Sequence, residues 1–80
     1  MNVESKVTEI WTAVLSVRPG HEEETFFELG GESIAAVRLV TRIEDELDVV
    51  IDVGDIFEDD PNLAALISTV QAAAAGSAAA

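Results

Sequence analysis

Apolar residues recur at intervals of three and four positions in three separate stretches of the chain, a spacing typical of amphipathic helices. The first stretch predicts a helix over about residues 3–17, which must end before Pro19-Gly20. The second predicts a helix from Ser33 to about Leu47, and the third a helix from Pro61 to about Ala73. The residues expected to face the core are Val7, Ile10, Trp11, Val14 and Leu15 in the first helix, Ala36, Leu39, Val40, Ile43 and Leu47 in the second, and Leu63, Leu66, Ile67 and Val70 in the last.

The segment between the second and the last of these helices is short. Its apolar run 49–51 could form a strand, but no second strand is predicted to pair with it, so we expect an extended linker over the core. Asp52 can cap a short helix through Glu58, with Asp55 as the acidic residue of a capping box, and Asp60-Pro61 can start the last helix. The predicted fold is therefore all-α, a four-helix bundle with three longer helices and one short third helix.

The small size of the chain limits what it can do. Its 80 residues predict one domain over residues 1–75, followed by an alanine-rich segment, 76–80, that we interpret as a linker or cloning remnant. Such a domain buries only a modest core, which favours binding or carrying over catalysis in an enclosed cavity. Because there is no cysteine, disulfides and thiolate metal sites are excluded. The sequence shows neither a signal peptide nor an apolar run of about 20 residues, so we expect a soluble, cytoplasmic protein.

The negative charge is confined to the middle of the chain. The formal net charge is −12, and the first 20 residues carry two acidic and two basic residues while the last 20 carry none. The whole imbalance therefore lies between His21 and Asp60. An acidic surface repels nucleic acids and anionic membranes and attracts basic partners. This pattern favours a docking surface, with solubility alone as the alternative.

A long loop, 18–32, is expected to be held in place by its own apolar residues. Phe26, Phe27 and Leu29 would be costly to leave in water, because burying one large apolar side chain contributes about 1.5 to 3 kcal/mol. In the same loop His21 precedes three consecutive glutamates. These residues lack the spacing of a metal site, so a solvated turn is the preferred interpretation.

Two glycines precede a serine at the predicted start of the second helix. Gly30 and Gly31 allow backbone conformations closed to other residues and leave Ser33 open to approach. This serine can be a nucleophile, a helix cap or an attachment point. On a helical projection Ile34 and Val37 lie outside the core-facing stripe and beside Ser33, which indicates a small apolar patch for a partner.

The glycine pair and the serine belong to a longer set of residues that match a known family. The matching residues are Phe26-Phe27-Glu28-Leu29-Gly30-Gly31-Glu32-Ser33-Ile34, Arg38-Leu39-Val40 with Ile43, Ile56-Phe57-Glu58, Pro61, and Leu63-Ala64-Ala65-Leu66. Through these residues the chain resembles the thiolation, or peptidyl carrier, domains of nonribosomal peptide synthetases over roughly residues 3–72.

The resemblance implies a four-helix carrier fold in which Ser33 receives the 4′-phosphopantetheine arm of coenzyme A. Gly30, Gly31 and Glu32 are then the residues of the motif that flank the attachment point. The thiol of the arm holds an aminoacyl, aryl or peptidyl group as a thioester. The chain itself is then no enzyme but a substrate of a phosphopantetheinyl transferase.

The resemblance also implies which residues meet other proteins. Ile34 and Val37 match the family's contacts on the second helix, and Asp52 and Ile56 match its contacts at the third. The implied partners are the transferase and the adenylation, condensation, thioesterase or tailoring enzymes of a synthetase. Nucleic acid and membrane are not among them, and we expect the domain to act as a monomer.

Three departures from the family pattern keep alternatives open. Glu32 stands where an Asp or His is usual, and three residues rather than two separate Phe57 from Pro61. The strong negative charge is typical of discrete acyl carriers of polyketide or fatty acid synthesis, which is the first alternative. The second is an unmodified helical interaction module with Ser33 as an N-cap. A serine hydrolase is disfavoured because His21, the only histidine, is not near Ser33 in sequence.

Overall fold

The computed structural model of the chain describes residues 2–79, and the side chains as far as Ala75. It confirms the predicted all-α, four-helix fold. Within the described residues the only β-type pairing is an isolated antiparallel bridge between Thr25 and Asn62. The helices are α1 (Val3–Leu15), α2 (Ser33–Leu47), α3 (Val53–Asp59) and α4 (Leu63–Ala79). No helix in this range is long and apolar enough to cross a membrane.

The starts of α1 and α3 are fixed by side-chain caps. Asn2 accepts a hydrogen bond from the Ser5 N–H at 3.0 Å. Asp52 accepts one from the Gly54 N–H at 2.8 Å, which confirms the predicted cap of the short helix. Both caps satisfy backbone donors that have no partner inside the helix. The first helix ends two residues earlier than predicted, because Ser16 turns into the left-handed region with φ of 51°.

The start of α4 was predicted wrongly at Asp60-Pro61. The helix begins at Leu63, and Asn62 caps it by accepting a hydrogen bond from the Ala65 N–H at 2.9 Å. Asp60 instead ends α3 in the left-handed region, with φ of 44°. Its carboxylate accepts a hydrogen bond from the Phe27 N–H at 2.8 Å. The Asp60 side chain, which the local sequence pattern assigned to the cap of α4, is therefore bonded to a residue far away in the sequence.

The end of α4 also differs from the prediction. The helix continues to Ala79 rather than stopping near Ala73. Alanine is the best helix former, and a run of it carries the helix past Gly76. Ala80 lies outside the described residues, and the interpretation of 76–80 as a linker or cloning remnant stays a prediction.

The core lies between α1 and its two neighbours, α2 and α4, and α3 closes it by packing against α2. The largest side chain in it is that of Trp11, which is fully buried as predicted. Val49 and Ile51 are buried and Val50 is exposed, so the segment before α3 is a linker that lies over the core, again as predicted. The buried apolar residues are Val7, Ile10, Trp11, Leu15, Phe26, Ala36, Leu39, Ile43, Leu47, Val49, Ile51, Ile56, Leu66 and Val70.

One ion-pair network joins α1 to α2 at the surface. Glu46 of α2 lies 3.4 Å from the Lys6 ammonium of α1 and 3.0 Å from the Arg42 guanidinium one turn away on its own helix. Partial burial raises the pKa of Glu46, but hydrogen bonds from Arg42 and Lys6, together with their charges, lower it more. The net effect is a pKa below the ordinary value of 4.5.

The loop before α2 is attached to the junction between α3 and α4. The Phe26 N–H donates to the Pro61 carbonyl at 2.9 Å, and the Phe27 N–H donates to the Asp60 carboxylate. Of the apolar residues expected to hold the loop, Phe26 is fully buried and Leu29 is partly buried against the core, as predicted. The prediction was wrong for Phe27, whose side chain is 47% exposed and which holds the loop through its backbone alone. These contacts fix the loop immediately before the two glycines.

Gly30 and Gly31 are required for different physical reasons. Gly30 has a φ of +81°, a conformation that residues with a side chain rarely adopt, and the space around it is open. At Gly31 the reason is space, because a Cβ there would lie 2.5 Å from the Phe26 ring. The ring is packed directly against the backbone of Gly31, two residues before Ser33.

The contact between Phe26 and Gly31 can be tested with Gly31→Ala. We expect the substitution to lower the free energy of unfolding by about 1 to 3 kcal/mol, because the added methyl group must displace a fully buried ring. Urea unfolding followed by circular dichroism measures the change.

A matched pair of variants at the neighbouring glycine separates crowding from backbone strain. Gly30→Ala should cost about 1 to 2 kcal/mol through the left-handed backbone, and Gly30→Asn should cost less because Asn tolerates that region. At Gly31 we expect the opposite order, with Gly31→Asn costing more than Gly31→Ala, because the larger side chain crowds the Phe26 ring more. Wild-type stability in Gly31→Ala would contradict this account of the loop.

The ion-pair network predicts a pH-dependent loss of stability in Glu46→Gln. A carboxyl group whose pKa is lower in the folded than in the unfolded protein stabilises the folded state at pH values above the unfolded pKa of 4.5. This contribution is lost as the pH falls through the pKa of the folded state. The variant should therefore be less stable than wild type at neutral pH and equally stable in acid. Thermal unfolding across pH measures the difference. Glu44→Gln is the control, because Glu44 forms no ion pair with any described residue.

Candidate functional site

Ser33 is the first residue of α2, as predicted, and its side chain is exposed. The residue that caps the helix is Glu32, whose backbone is extended and whose carbonyl accepts the Ala36 N–H at 2.9 Å. No side-chain hydrogen bond caps α2. Within the described part of the chain the Ser33 hydroxyl has no hydrogen-bond partner, so the alternative in which it serves as the N-cap is not supported.

The surroundings of the hydroxyl suit an anionic group better than a catalytic role. Ser33 stands at the positive end of a 15-residue helix, whose first backbone N–H groups have no partner within the helix. A phosphate is stabilised at such a position. Glu32 adds an opposing negative charge next to it. A nucleophilic serine needs a hydrogen-bonded base, and among the described residues none is paired with Ser33.

His21 does not supply that base, because it belongs to a different part of the surface. It pairs with Glu24 and lines a groove with Arg18 and Glu28, whereas Ser33 lines another groove on α2. The Glu22 carboxylate accepts the Gly20 N–H at 2.8 Å, and backbone hydrogen bonds lower the pKa of Glu22. No group of three or more potential metal ligands occurs in the described range. The Glu24 N–H donates to the His21 carbonyl at 3.2 Å and residues 21–23 are exposed, so this segment forms the predicted solvated turn.

A shallow apolar groove begins at Ser33 on the outer face of α2. Ile34 and Val37 line it together with Arg38. Ile34 is 66% exposed and Val37 is 54% exposed, so both lie off the core as the helical projection predicted. The core face of the same helix is formed by residues such as Leu39 and Ile43, which are fully buried.

The two residues predicted to meet partners at α3 have different positions. Asp52 is exposed while it caps the helix. Ile56 is only 2% exposed and belongs to the core, which contradicts the expectation that its side chain contacts partners. The apolar side chain that α3 leaves open is that of Phe57, which is 36% exposed.

Phe57 forms an exposed aromatic pair that the sequence did not identify. Its ring stacks on that of Phe27 with 6.2 Å between centroids and 24° between planes, and Phe27 is 47% exposed. Both rings pack against the buried Phe26 ring in a T-shaped arrangement, with 5.6 Å and 6.2 Å between centroids. Adjacent apolar residues, such as Phe26 with Phe27 and Ile56 with Phe57, signalled that one of each pair could face outward, but only the packing shows which.

The sequence matches one family of known domains along most of its length. Residues 5–70 match the profile of the phosphopantetheine attachment site family. Domains of this family attach 4′-phosphopantetheine covalently and are not themselves catalytic. The exposed, unpartnered Ser33 hydroxyl fits such an attachment.

Three relatives are large synthetases. The chain is 34% identical over 70 residues to phosphinothricin tripeptide synthetase PhsC of Streptomyces viridochromogenes, which covers 88% of the chain and 6% of the relative. It is 35% identical over 69 residues to tyrocidine synthase 2 of Brevibacillus parabrevis, with 86% and 2% covered. It is 37% identical over 65 residues to gramicidin S synthase 2 of Brevibacillus brevis, with 81% and 1% covered.

The chain thus spans only a small fraction of the length of these relatives, and the similarity concerns one domain of each. Together with the family match, these similarities confirm the resemblance to peptidyl carrier domains. The chain therefore belongs to the family of phosphopantetheine attachment domains.

Proposed function

We propose that Ser33 carries a 4′-phosphopantetheine arm and that the domain holds aminoacyl or peptidyl intermediates as thioesters on that arm during nonribosomal peptide synthesis. The observation that carries this proposal is the exposed Ser33 hydroxyl, which has no hydrogen-bond partner among the described residues, at the first position of α2. The family match and the similarity to peptide synthetases support it.

In this proposal the domain supplies an acceptor and a fixed position rather than catalysis. Attachment joins the Ser33 oxygen to the pantetheine-linked phosphorus of coenzyme A, breaks the pyrophosphate bond at that phosphorus and releases adenosine 3′,5′-bisphosphate. The hydroxyl proton must be taken by the transferase, because no base is paired with Ser33 in the described chain. The positive end of α2 favours the phosphodiester that results.

The partner surface we propose consists of Ile34, Val37, Asp52 and Phe57. The first two form an apolar patch beside the attachment point, and Phe57 takes the place that the sequence interpretation gave to Ile56. The proposed partners are a phosphopantetheinyl transferase and the adenylation, condensation, thioesterase or tailoring enzymes of a synthetase. The net charge of −12 adds long-range attraction for partners with a basic docking face.

The acidic charge also keeps a second candidate function open, a discrete acyl carrier of polyketide or fatty acid synthesis. The two functions share the arm and differ in the enzyme that loads it. Holo protein charged by an adenylating enzyme, and not by an acyltransferase, would support the peptidyl carrier.

The attachment site is tested with Ser33→Ala. Wild type incubated with coenzyme A, Mg²⁺ and a broad-specificity transferase should gain the mass of one phosphopantetheine, and the variant should gain none. Intact-protein mass spectrometry measures both, and Ser68→Ala, an exposed serine of α4, is the control.

The same variant separates attachment from capping. Because Ser33 makes no cap hydrogen bond, Ser33→Ala should change the free energy of unfolding by less than about 0.5 kcal/mol, whereas loss of a true N-cap costs about 1 kcal/mol. An unmodified wild type would contradict the carrier function.

The docking patch is tested with Val37→Asp. The position is more than half exposed, so the fold should persist, but a charge in the apolar patch should slow phosphopantetheine attachment or cargo loading by about tenfold or more. Rates from quenched reactions measured by mass spectrometry give the effect. Gln71→Asp adds the same charge at an exposed position of α4 and should leave the rates unchanged. Equal rates in wild type and Val37→Asp would remove Val37 from the interface.

A further inference from the structure

Two hydrogen bonds connect the loop before α2 to a part of the chain at least 33 positions away. The Phe26 N–H donates to the Pro61 carbonyl at 2.9 Å, and the Phe27 N–H donates to the Asp60 carboxylate at 2.8 Å. Both acceptors lie at the junction between α3 and α4. The first bond uses backbone atoms only. Asp60 therefore contributes to this connection through its side chain, which a substitution can remove.

Asp60 makes its bond from a turn in the backbone that ends α3. Its N–H donates to the Ile56 carbonyl at 3.1 Å, and its φ of 44° lies in the left-handed region. Gly adopts this region freely, and Asp and Asn tolerate it better than other residues do. Asp60 is the last of the three residues between Phe57 and Pro61, the spacing that departs from the family pattern. The junction thus places a carboxylate against the loop.

The residues held by the junction are the ones that support the glycines before Ser33. The Gly30 N–H donates to the Phe27 carbonyl and the Gly31 N–H to the Phe26 carbonyl, each at 2.9 Å. A Cβ on Gly31 would lie 2.5 Å from the Phe26 ring, so backbone and ring are in close contact. A displacement of the two aromatic residues therefore displaces both glycines, and Ser33 is only two residues further along the chain.

We propose that Asp60 is a positioning residue for attachment: its carboxylate holds the Phe27 backbone and thereby keeps the Ser33 hydroxyl at the place that the transferase must reach. The proposal rests on the proposed function of Ser33. A hydroxyl with a loose support occupies the productive position for a smaller fraction of the time, which lowers the rate of the transfer step. Docking depends less on this bond, because Ile34 and Val37 lie on α2, whose inner face is fully buried in the core.

Two substitutions at Asp60 separate its hydrogen bond from its charge and its backbone conformation. Asp60→Asn keeps an oxygen acceptor and loses the charge, whereas Asp60→Gly keeps the left-handed turn and loses the acceptor. With coenzyme A and a broad-specificity transferase, Asp60→Gly should lower kcat by about fivefold, the factor expected for one lost hydrogen bond, and leave KM nearly unchanged. Asp60→Asn should keep the wild-type kcat. Mass spectrometry of quenched reactions, at a temperature where every variant is folded, measures these rates.

Two control variants exclude a general loss of stability and a general loss of charge. Glu46→Gln weakens the network between α1 and α2, so it should lower the stability of the domain and leave kcat unchanged. Asp59→Asn removes the same charge as Asp60→Asn from the neighbouring exposed position, whose side chain makes no ion pair with any described residue. It should also keep the wild-type kcat.

Amide hydrogen exchange gives a readout that needs no transferase. In Asp60→Gly the N–H groups of Phe27 and Gly31 should exchange about fivefold faster than in wild type, because the loop opens more often. In Asp60→Asn both should exchange at the wild-type rate. The N–H of Leu39, in the middle of α2, should exchange at the same rate in all three proteins.

The outcomes distinguish this proposal from the carrier function. If wild type gains no mass with coenzyme A and the transferase, both are wrong. If attachment proceeds and Asp60→Gly has the wild-type kcat, the carrier function stands and the role of Asp60 is overturned. An equal loss of kcat in Glu46→Gln would show that only stability matters, and an equal loss in Asp60→Asn that only charge matters. Either result would also overturn the proposal.

Discussion

The Phe26 ring occupies the space that a side chain on Gly31 would need, and the position of Ser33 depends on this contact. The ring is fully buried, and its backbone N–H is bonded to Pro61 at the junction between α3 and α4. Phe26 therefore joins the loop, the core and the junction between α3 and α4. Because Gly31 lies directly against this ring, the start of α2 is held at a defined place on the surface.

A fixed position and an unoccupied outer face are what an attachment point requires. The inner face of α2 is held by fully buried residues such as Leu39 and Ile43, while Ser33, Ile34 and Val37 remain exposed. The Ser33 hydroxyl makes no hydrogen bond with the helix, because Glu32 occupies the cap position and contributes only its backbone. Attaching a group to Ser33 therefore breaks no hydrogen bond of the described structure. The proposed attachment at Ser33 therefore requires no refolding of the described residues.

Long-range contacts account for two of the predictions that failed. Asp60 has the sequence of a helix cap, but its carboxylate accepts the Phe27 N–H from the loop, so Asn62 becomes the cap of α4. Similarly, Ile56 was expected at the surface and lies in the core, while Phe57 stacks on Phe27 outside it. In each case the local sequence offered two nearby residues for the same position. Contacts with partners more than 25 residues away in the sequence determined which of the two residues occupies it.

The sequence by itself determined the number and type of the helices, the start of α2 at Ser33, the burial of Trp11 and the exposure of Ile34 and Val37. These follow from helical periodicity and local capping, which act over a few residues. It also identified Ser33 through a motif. Only the tertiary structure decided that Gly31 must leave space for the Phe26 ring and that Phe57 rather than Ile56 is exposed. The physical reason is that close packing and side-chain pairing depend on which segments meet in space, and a local sequence pattern does not determine which segments meet.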